Sequence, residues 1–255
     1  MVFRWQPEAD YPLVLVANRD EWFARPTALA HWWEDIPTIY AGRDLQAGGT
    51  WLGFNRTGQW GGLTNVRDPA KHQLHAPSRG ALVKNFLAQA GEPLSYAQTL
   101  VTQGMNGFNL LLGCMARRML VYRRDVNAPV QCLEAGLYAV SNAQLETPWW
   151  KVSRAKERLA TVCEGSTWTT EALWEVLADT QIAPSDTWPA TGVDAVWEAR
   201  LSALRIVSPE SGYGTRTTTA ICYHQSGEVR IAERTWTLTG EVAHDSLMAY
   251  LITTR

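Results

Sequence analysis

The stretch Leu13-Val14-Leu15-Val16-Ala17-Asn18-Arg19-Asp20-Glu21-Trp22 decides how this chain is read. Its first five residues are apolar and rich in β-branched side chains, the composition of a short buried strand. The next four bring an amide, a guanidinium and two carboxylates into one small volume. A strand over 13–17 that stops at Asn18 delivers all four groups to its end. Upstream, Met1-Val2-Phe3-Arg4-Trp5 reads as a first strand and Gln6-Pro7-Glu8-Ala9-Asp10 as a polar turn. Strands joined so closely form an antiparallel hairpin, with the start of the first beside the end of the second. Asn18, Arg19 and Asp20 are therefore expected around Met1.

Further along, the pattern predicts strands over 50–54 and 59–64, with Gly58 turning the chain between them. Ser78 is expected to cap a helix over 79–89 whose buried stripe is Leu82, Val83, Phe86, Leu87 and Ala90. A second helix is expected over 95–103. Strands return over 109–113, 119–122 and 137–141, and helices over 149–163, 170–178 and 194–204. A hairpin over 217–223 and 228–236 turns at Ser226-Gly227. Residues 242–252 fit neither period. Strands, then helices, then strands argue for antiparallel sheets covered by helices, the α+β class, rather than for βαβ alternation. With 255 residues and no linker, repeat or low-complexity segment, a single domain over 1–255 is expected.

Composition excludes several classes of function. Twenty-five acids against 23 bases leave a net charge of -2, which argues against a dedicated nucleic-acid or anionic-membrane surface. No stretch approaches the roughly 18 apolar residues of a membrane span. Arg4, Glu8 and Asp10 interrupt the region where a signal peptide would be apolar, so a cytoplasmic location is expected. Cys114, Cys132, Cys163 and Cys222 are widely spaced in apolar surroundings and read as small buried hydrophobes in a reducing compartment. His72 and His75 have an HxxH spacing without a third ligand nearby, so a solvated loop and no metal site are expected. Thirteen tryptophans are many for this length, and serve either core packing or an apolar ligand surface.

Several blocks occur in a specific order: Asn18-Arg19-Asp20-Glu21, Arg25-Pro26, Gly48-Gly49-Thr50-Trp51-Leu52-Gly53 and Leu63-Thr64-Asn65-Val66-Arg67-Asp68-Pro69. Ser141-Asn142, Thr147-Pro148-Trp149 and Tyr213-Gly214-Thr215-Arg216-Thr217-Thr218-Thr219 follow. Together they resemble the NRDE family, also called the transport and Golgi organisation 2 family, across nearly the whole chain. That family resembles in turn the N-terminal nucleophile hydrolases, in the cholylglycine and penicillin V acylase branch. The resemblance implies a four-layer α-β-β-α sandwich of two antiparallel sheets between helices. It implies a cysteine amidohydrolase or acyl-transfer site for a small amide, with Arg19 lowering the thiol pKa and Asp20 binding the α-amine. Asn65 and Asn142 would supply oxyanion donors, and Arg216 would tie Asp20 in place. Asn18, Trp22 and Trp51 are expected to contact ligand, the two tryptophans because they flank family motifs. Each position also has a structural reading: Arg19 and Asp20 as an ion pair, Asn65 and Asn142 as turn residues, Arg216 as a sheet-edge charge. Gly48-Gly49 reads as a tight turn before a strand.

The departure from the family is at the front. Members begin Met-Cys-Leu-x-Val-Phe, whereas this chain begins Met1-Val2-Phe3. Aligning Val2-Phe3 puts the family cysteine two positions ahead of Met1, so the reading implies a start at an internal methionine. Such a form folds but lacks its nucleophile. The other function that the resemblance implies is a non-catalytic carrier of haem or an acyl ligand. No Cys-x-x-Cys-His occurs, and no axial ligand stands out among His31, His72, His75, His224 and His244.

Overall fold

The computed structural model describes residues 1–252 except 90, 126–127 and 166–167. The expected stripe residue Ala90 lies outside the described residues. The first part of the chain forms β1 (Val2–Trp5), β2 (Leu13–Trp22), β3 (Thr27–Trp32), β4 (Ile39–Asp44), β5 (Leu52–Asn55) and β6 (Gln59–Asn65). Then come α1 (Gly80–Gln89), α2 (Pro93–Thr99), β7 (Phe108–Cys114), β8 (Met119–Arg124), β9 (Gln131–Cys132) and β10 (Gly136–Ala139). The last part holds α3 (Trp150–Glu164), α4 (Thr170–Val176), α5 (Ala195–Ser202), β11 (Val207–Ser208), β12 (Tyr213–Tyr223), β13 (Glu228–Trp236) and β14 (Val242–Leu251).

These elements build two compact units, and the class is α+β with two antiparallel sheets. The first unit comprises Met1–Ala24, Gly136–Val140 and Leu145–Tyr250. Its sheet has the order β10-β1-β2-β12-β13-β14, with β11 paired to β12. The second unit comprises Arg25–Ala135, Ser141–Gln144 and the residues from Leu251. Its sheet follows the chain without interruption, β3-β4-β5-β6-β7-β8-β9.

Alternation along the strands explains the first unit's core. Val2, Val14, Val16, Ala220, Cys222 and Ala232 occupy one face and pack beneath Val152, Ala155 and Leu159 of α3 and Leu173 and Trp174 of α4. Each fully buried aliphatic side chain there contributes on the order of 2 kcal/mol. In the second unit, the expected stripe of α1, Leu82, Val83, Phe86 and Leu87, packs onto Ile39, Ala41, Leu110, Leu112 and Val121. α2 begins two residues earlier than expected. Pro93 opens it and Glu92 caps it, accepting from Leu94 N at 3.3 Å and Ser95 N at 2.8 Å. Gly48 closes the tight turn before β5 at φ +69°, donating its N–H to Asp44 O at 2.8 Å.

Three expectations need correcting. β3 and β4 lie in a stretch for which the sequence pattern predicts no element, because their residues mix polar and apolar types without a clean period. The strand over 13–17 does not stop at Asn18 but continues to Trp22. Cys132 is exposed on the two-residue β9, whereas Cys114 and Cys222 are buried as expected.

Candidate active site

The Asn-Arg-Asp-Glu block stays in a strand because β12 pairs with β2 along its whole length, from Tyr213↔Trp22 to Tyr223↔Leu13. Backbone pairing is indifferent to side-chain polarity, so four polar residues remain extended when a partner strand takes up their amides. Alternation then places Asn18 and Asp20 on the helix-covered face and Arg19 on the opposite face.

The register slips once, between Thr215 and Thr217, which makes Arg216 the extra residue of a β-bulge. The bulge has a chemical consequence. It sets Thr215 opposite Asp20, Thr217 opposite Arg19 and Thr218 opposite Asn18. A regular strand would turn Thr215 and Thr217 to the same face. Thr215 Oγ1 donates to Asp20 Oδ1 at 2.6 Å and accepts from Ile206 N at 2.8 Å. This corrects the part implied for Arg216: Thr215 holds Asp20. Arg216, re-aimed by the bulge, donates from Nη1 to Trp22 O at 3.3 Å and lies 5.3 Å from the Phe23 ring centre. Burial pushes its guanidinium pKa down, with Glu21 opposing the shift.

Asn18 also differs from expectation. Its Nδ2 donates to Leu177 O at 3.0 Å and Leu204 O at 2.8 Å, and its Oδ1 accepts from Thr218 Oγ1 at 2.7 Å. Both amide hydrogens are thus committed to the segments that follow α4 and α5. Asn18 clamps two helix ends to the sheet and has no hydrogen left for a ligand. Arg19 is only 7% exposed, and its Nη2 stands 3.9 Å from Glu21 Oε2, the long limit of an ion pair.

Met1 completes the group. Its α-amine donates to Val140 O at 3.1 Å, and Met1 O accepts from Val140 N at 2.9 Å. Burial pushes the amine from 8.0 down to about 5; Lys151 lowers it further and Asp20 opposes the shift. An amine so placed is neutral at pH 7 and can accept a proton. Lys151, in the first turn of α3, is 8% exposed and donates to Leu201 O at 2.8 Å. The expectation that Asn18, Arg19 and Asp20 gather near the N-terminus rested on the hairpin, and the register Val2↔Val16 to Trp5↔Leu13 shows that hairpin. Lys151, Thr215 and Thr217 were not singled out. The threonine run was visible, but a bulge leaves no mark in a run of like residues.

An aromatic group stands at the end of β2. Trp22, 48% exposed, meets Trp197 at 6.0 Å and Tyr213 at 5.2 Å, and these two meet each other at 5.7 Å. Trp5, Trp33 and Trp60 are fully buried. Thus the tryptophans divide between core and surface.

Asn65, Asn142 and Trp51 belong to the second unit. Asn142 Nδ2 donates to Asn65 O at 2.9 Å, and Asn142 O accepts from Arg67 N at 2.7 Å. The two asparagines implied as oxyanion donors therefore meet each other, at the exposed end of β6. Trp51 lies against the backbone of Gly42, where a Cβ would come within 2.5 Å of its ring. Among the described residues, no three His, Cys, Asp or Glu side chains gather as a metal site would require, and no helix is long and apolar enough to cross a membrane. Burial pushes the Cys222 thiol up to about 11 and the Cys163 thiol up as well, so neither is a ready thiolate.

The chain is similar to known proteins over most of its length. It is 33% identical over 243 residues to the mouse Transport and Golgi organization 2 homolog, covering 88% of this chain and 86% of that protein. To the human homolog it is 33% identical over 241 residues, again covering 88% and 86%. A solved structure, the Caenorhabditis elegans N-acylethanolamine-hydrolyzing acid amidase ortholog, matches 86% of this chain and 91% of its own. The TM-score is 0.51 at 10% identity, so the likeness shows a shared fold. The sequence profile of the Transport and Golgi organisation 2 family matches residues 1–238, and the chain belongs to that family.

Proposed function

We propose that the polar end of β2 and β12 is the site of a cysteine amidohydrolase of the N-terminal-nucleophile type, with a small amide as substrate. The observation that carries the reading is the register of β1 on β2. Val2 stands opposite Val16, and each step back along β1 advances one residue along β2. Continuing that register, a residue two positions ahead of Met1 faces Arg19, on the same sheet face. A cysteine there has a guanidinium to stabilise its thiolate. Its own α-amine serves as the base. The thiolate attacks the amide carbon, the amine passes the proton to the leaving nitrogen, and water then cleaves the thioester to an acid. Asp20, fixed by Thr215, orients the amine. The amide chemistry named for the nematode amidase supports this assignment.

The test is a chain carrying Cys-Leu ahead of Met1. One thiol in it should alkylate much faster than free cysteine at pH 7, and changing that cysteine to alanine should remove the fast phase. A thiol no faster than free cysteine would sink the reading.

A second reading, a carrier of an apolar or acyl ligand or of haem, is favoured by a separate cavity. It has a volume of about 190 Å³ and is lined by Tyr11, Trp168, Leu173, Ala220, Cys222 and Leu247 among others. That is below the ~300 Å³ at which pockets accept drug-sized ligands, so it suits one acyl tail better than a whole haem. A Soret shift on haem titration that Tyr11→Ala and Trp168→Ala abolish would put the carrier ahead.

A further inference from the structure

Each residue of the Asn18-Arg19-Asp20 triplet has a threonine opposite it on β12, and two of the three threonines are bonded across the strand pair. Thr218 donates to Asn18 and Thr215 to Asp20. The third, Thr217, stands opposite Arg19 and is 3% exposed, yet its Oγ1 has no hydrogen-bond partner. A buried hydroxyl without a partner costs stability, and native proteins keep few of them. Its neighbours do not relieve it. Thr235 lies opposite on β13, while Thr219 Oγ1, on the same face, donates to Glu233 Oε2 at 3.3 Å. Arg19 and Thr217 form one row across two strands. A guanidinium has only donors, and a hydroxyl has one to give. A ligand oxygen placed beside this row can accept from the hydroxyl and from the guanidinium at once.

We propose that Thr217 is a substrate-binding residue whose hydroxyl, together with the Arg19 guanidinium, holds a carboxylate oxygen of the ligand. The occupant is therefore an acid, or an ester or amide bearing an acid, and not a neutral amine or alcohol. The proposal deepens the amidase reading, since it names the oxygen beside the thiol's position, but it stands on the orphaned hydroxyl alone. A carrier would use the same pair.

Hexanoate is the probe, with hexanol as a control of equal chain length and no charge, and binding to the chain as it stands is read by calorimetry and by thermal shift. The wild-type chain should bind hexanoate more tightly than hexanol. Thr217→Val, which keeps the volume and removes the hydroxyl, should weaken hexanoate about tenfold, the value of one hydrogen bond to a charged group. Thr217→Ser should retain most of the affinity and covers the case in which the valine variant does not fold. Thr219→Val, whose hydroxyl is already bonded, should change nothing. Equal hexanoate affinity in wild type and Thr217→Val overturns the proposal, as does hexanol binding as well as hexanoate. Thiol reactivity in the cysteine-extended chain is independent of Thr217. A fast thiol with no effect at Thr217 therefore removes only this inference, and a slow thiol with a full effect at Thr217 removes only the amidase.

Discussion

The two halves of the β2–β12 pair share one backbone ladder and do opposite things. Leu13–Ala17 opposite Thr219–Tyr223 is in regular register, and all five β2 residues are buried and apolar. Asn18–Trp22 opposite Tyr213–Thr218 is bulged and polar, with cross-strand hydrogen bonds between side chains at 2.6 and 2.7 Å. In the apolar half Val14 and Val16 pack beneath α3 and α4 while Leu13 and Leu15 are buried on the opposite face, so the ladder is anchored from both sides and the polar half stays extended. Rigidity is built in one half and used in the other.

Variants that exchange these properties test the comparison. The largest effect belongs to the apolar half. Leu15→Ala removes a fully buried side chain and should lower the unfolding free energy by about 2–5 kcal/mol, read from urea titration. A loss under about 1 kcal/mol would mean that the ladder is anchored elsewhere. Next comes the clamp. Asn18→Ala leaves Leu177 O and Leu204 O without their donor and should cost about 2–4 kcal/mol, with hydrogen exchange rising first around α4 and α5.

The third effect is a pH dependence. The α-amine of Met1 has its proton affinity depressed from 8.0 to about 5 by burial and Lys151. Because the unfolded amine binds its proton more strongly, the stabilisation is fully present above pH 8. It fades as pH falls and is lost below about 5. A terminal residue can detach without unfolding the sheet, which caps the size of this effect below that of the clamp. Urea midpoints between pH 8 and 5 should fall less in a chain whose α-amine is acetylated; parallel curves would exclude the amine as the titrating group. The smallest effect sharpens the contrast. Thr217→Val should leave stability unchanged or raise it by up to about 1 kcal/mol, because the hydroxyl it removes is unpaired. A clear loss would show that this threonine serves the fold like its neighbours.

The apolar half was legible residue by residue, since Leu13 to Ala17 carry their strand signal locally. So were α1, whose stripe recurs at helical spacing, and the hairpin of β12 and β13 around Gly227. β14 was not, because its first four residues are exposed on both faces and its later alternation puts Leu247 and Leu251 on the exposed side and Ser246 on the half-buried one, so polarity does not follow burial. Nor were β3, which is mostly half-buried, and β4, whose first four residues are all buried, since neither pattern alternates. At the site, motif order drew attention to Arg19, Asp20, Asn65, Asn142 and Arg216. It misassigned the grip on Asp20, because one extra residue at the bulge moved that part from Arg216 to Thr215.

The sequence by itself determined the family, the antiparallel α+β class and the hairpin that brings β2 alongside the N-terminus, since all three follow from local pattern and short connections. Only the tertiary structure decided which strand lies beside Asn18-Arg19-Asp20, because β12 is almost two hundred positions away and chain order carries no register. It also decided that Asn18 serves the fold, that Thr215 holds Asp20 and that Thr217 is left with a buried hydroxyl to offer. Those parts depend on a one-residue slip between two strands. A slip of one residue turns a side chain from one face of a sheet to the other without changing a letter of the sequence.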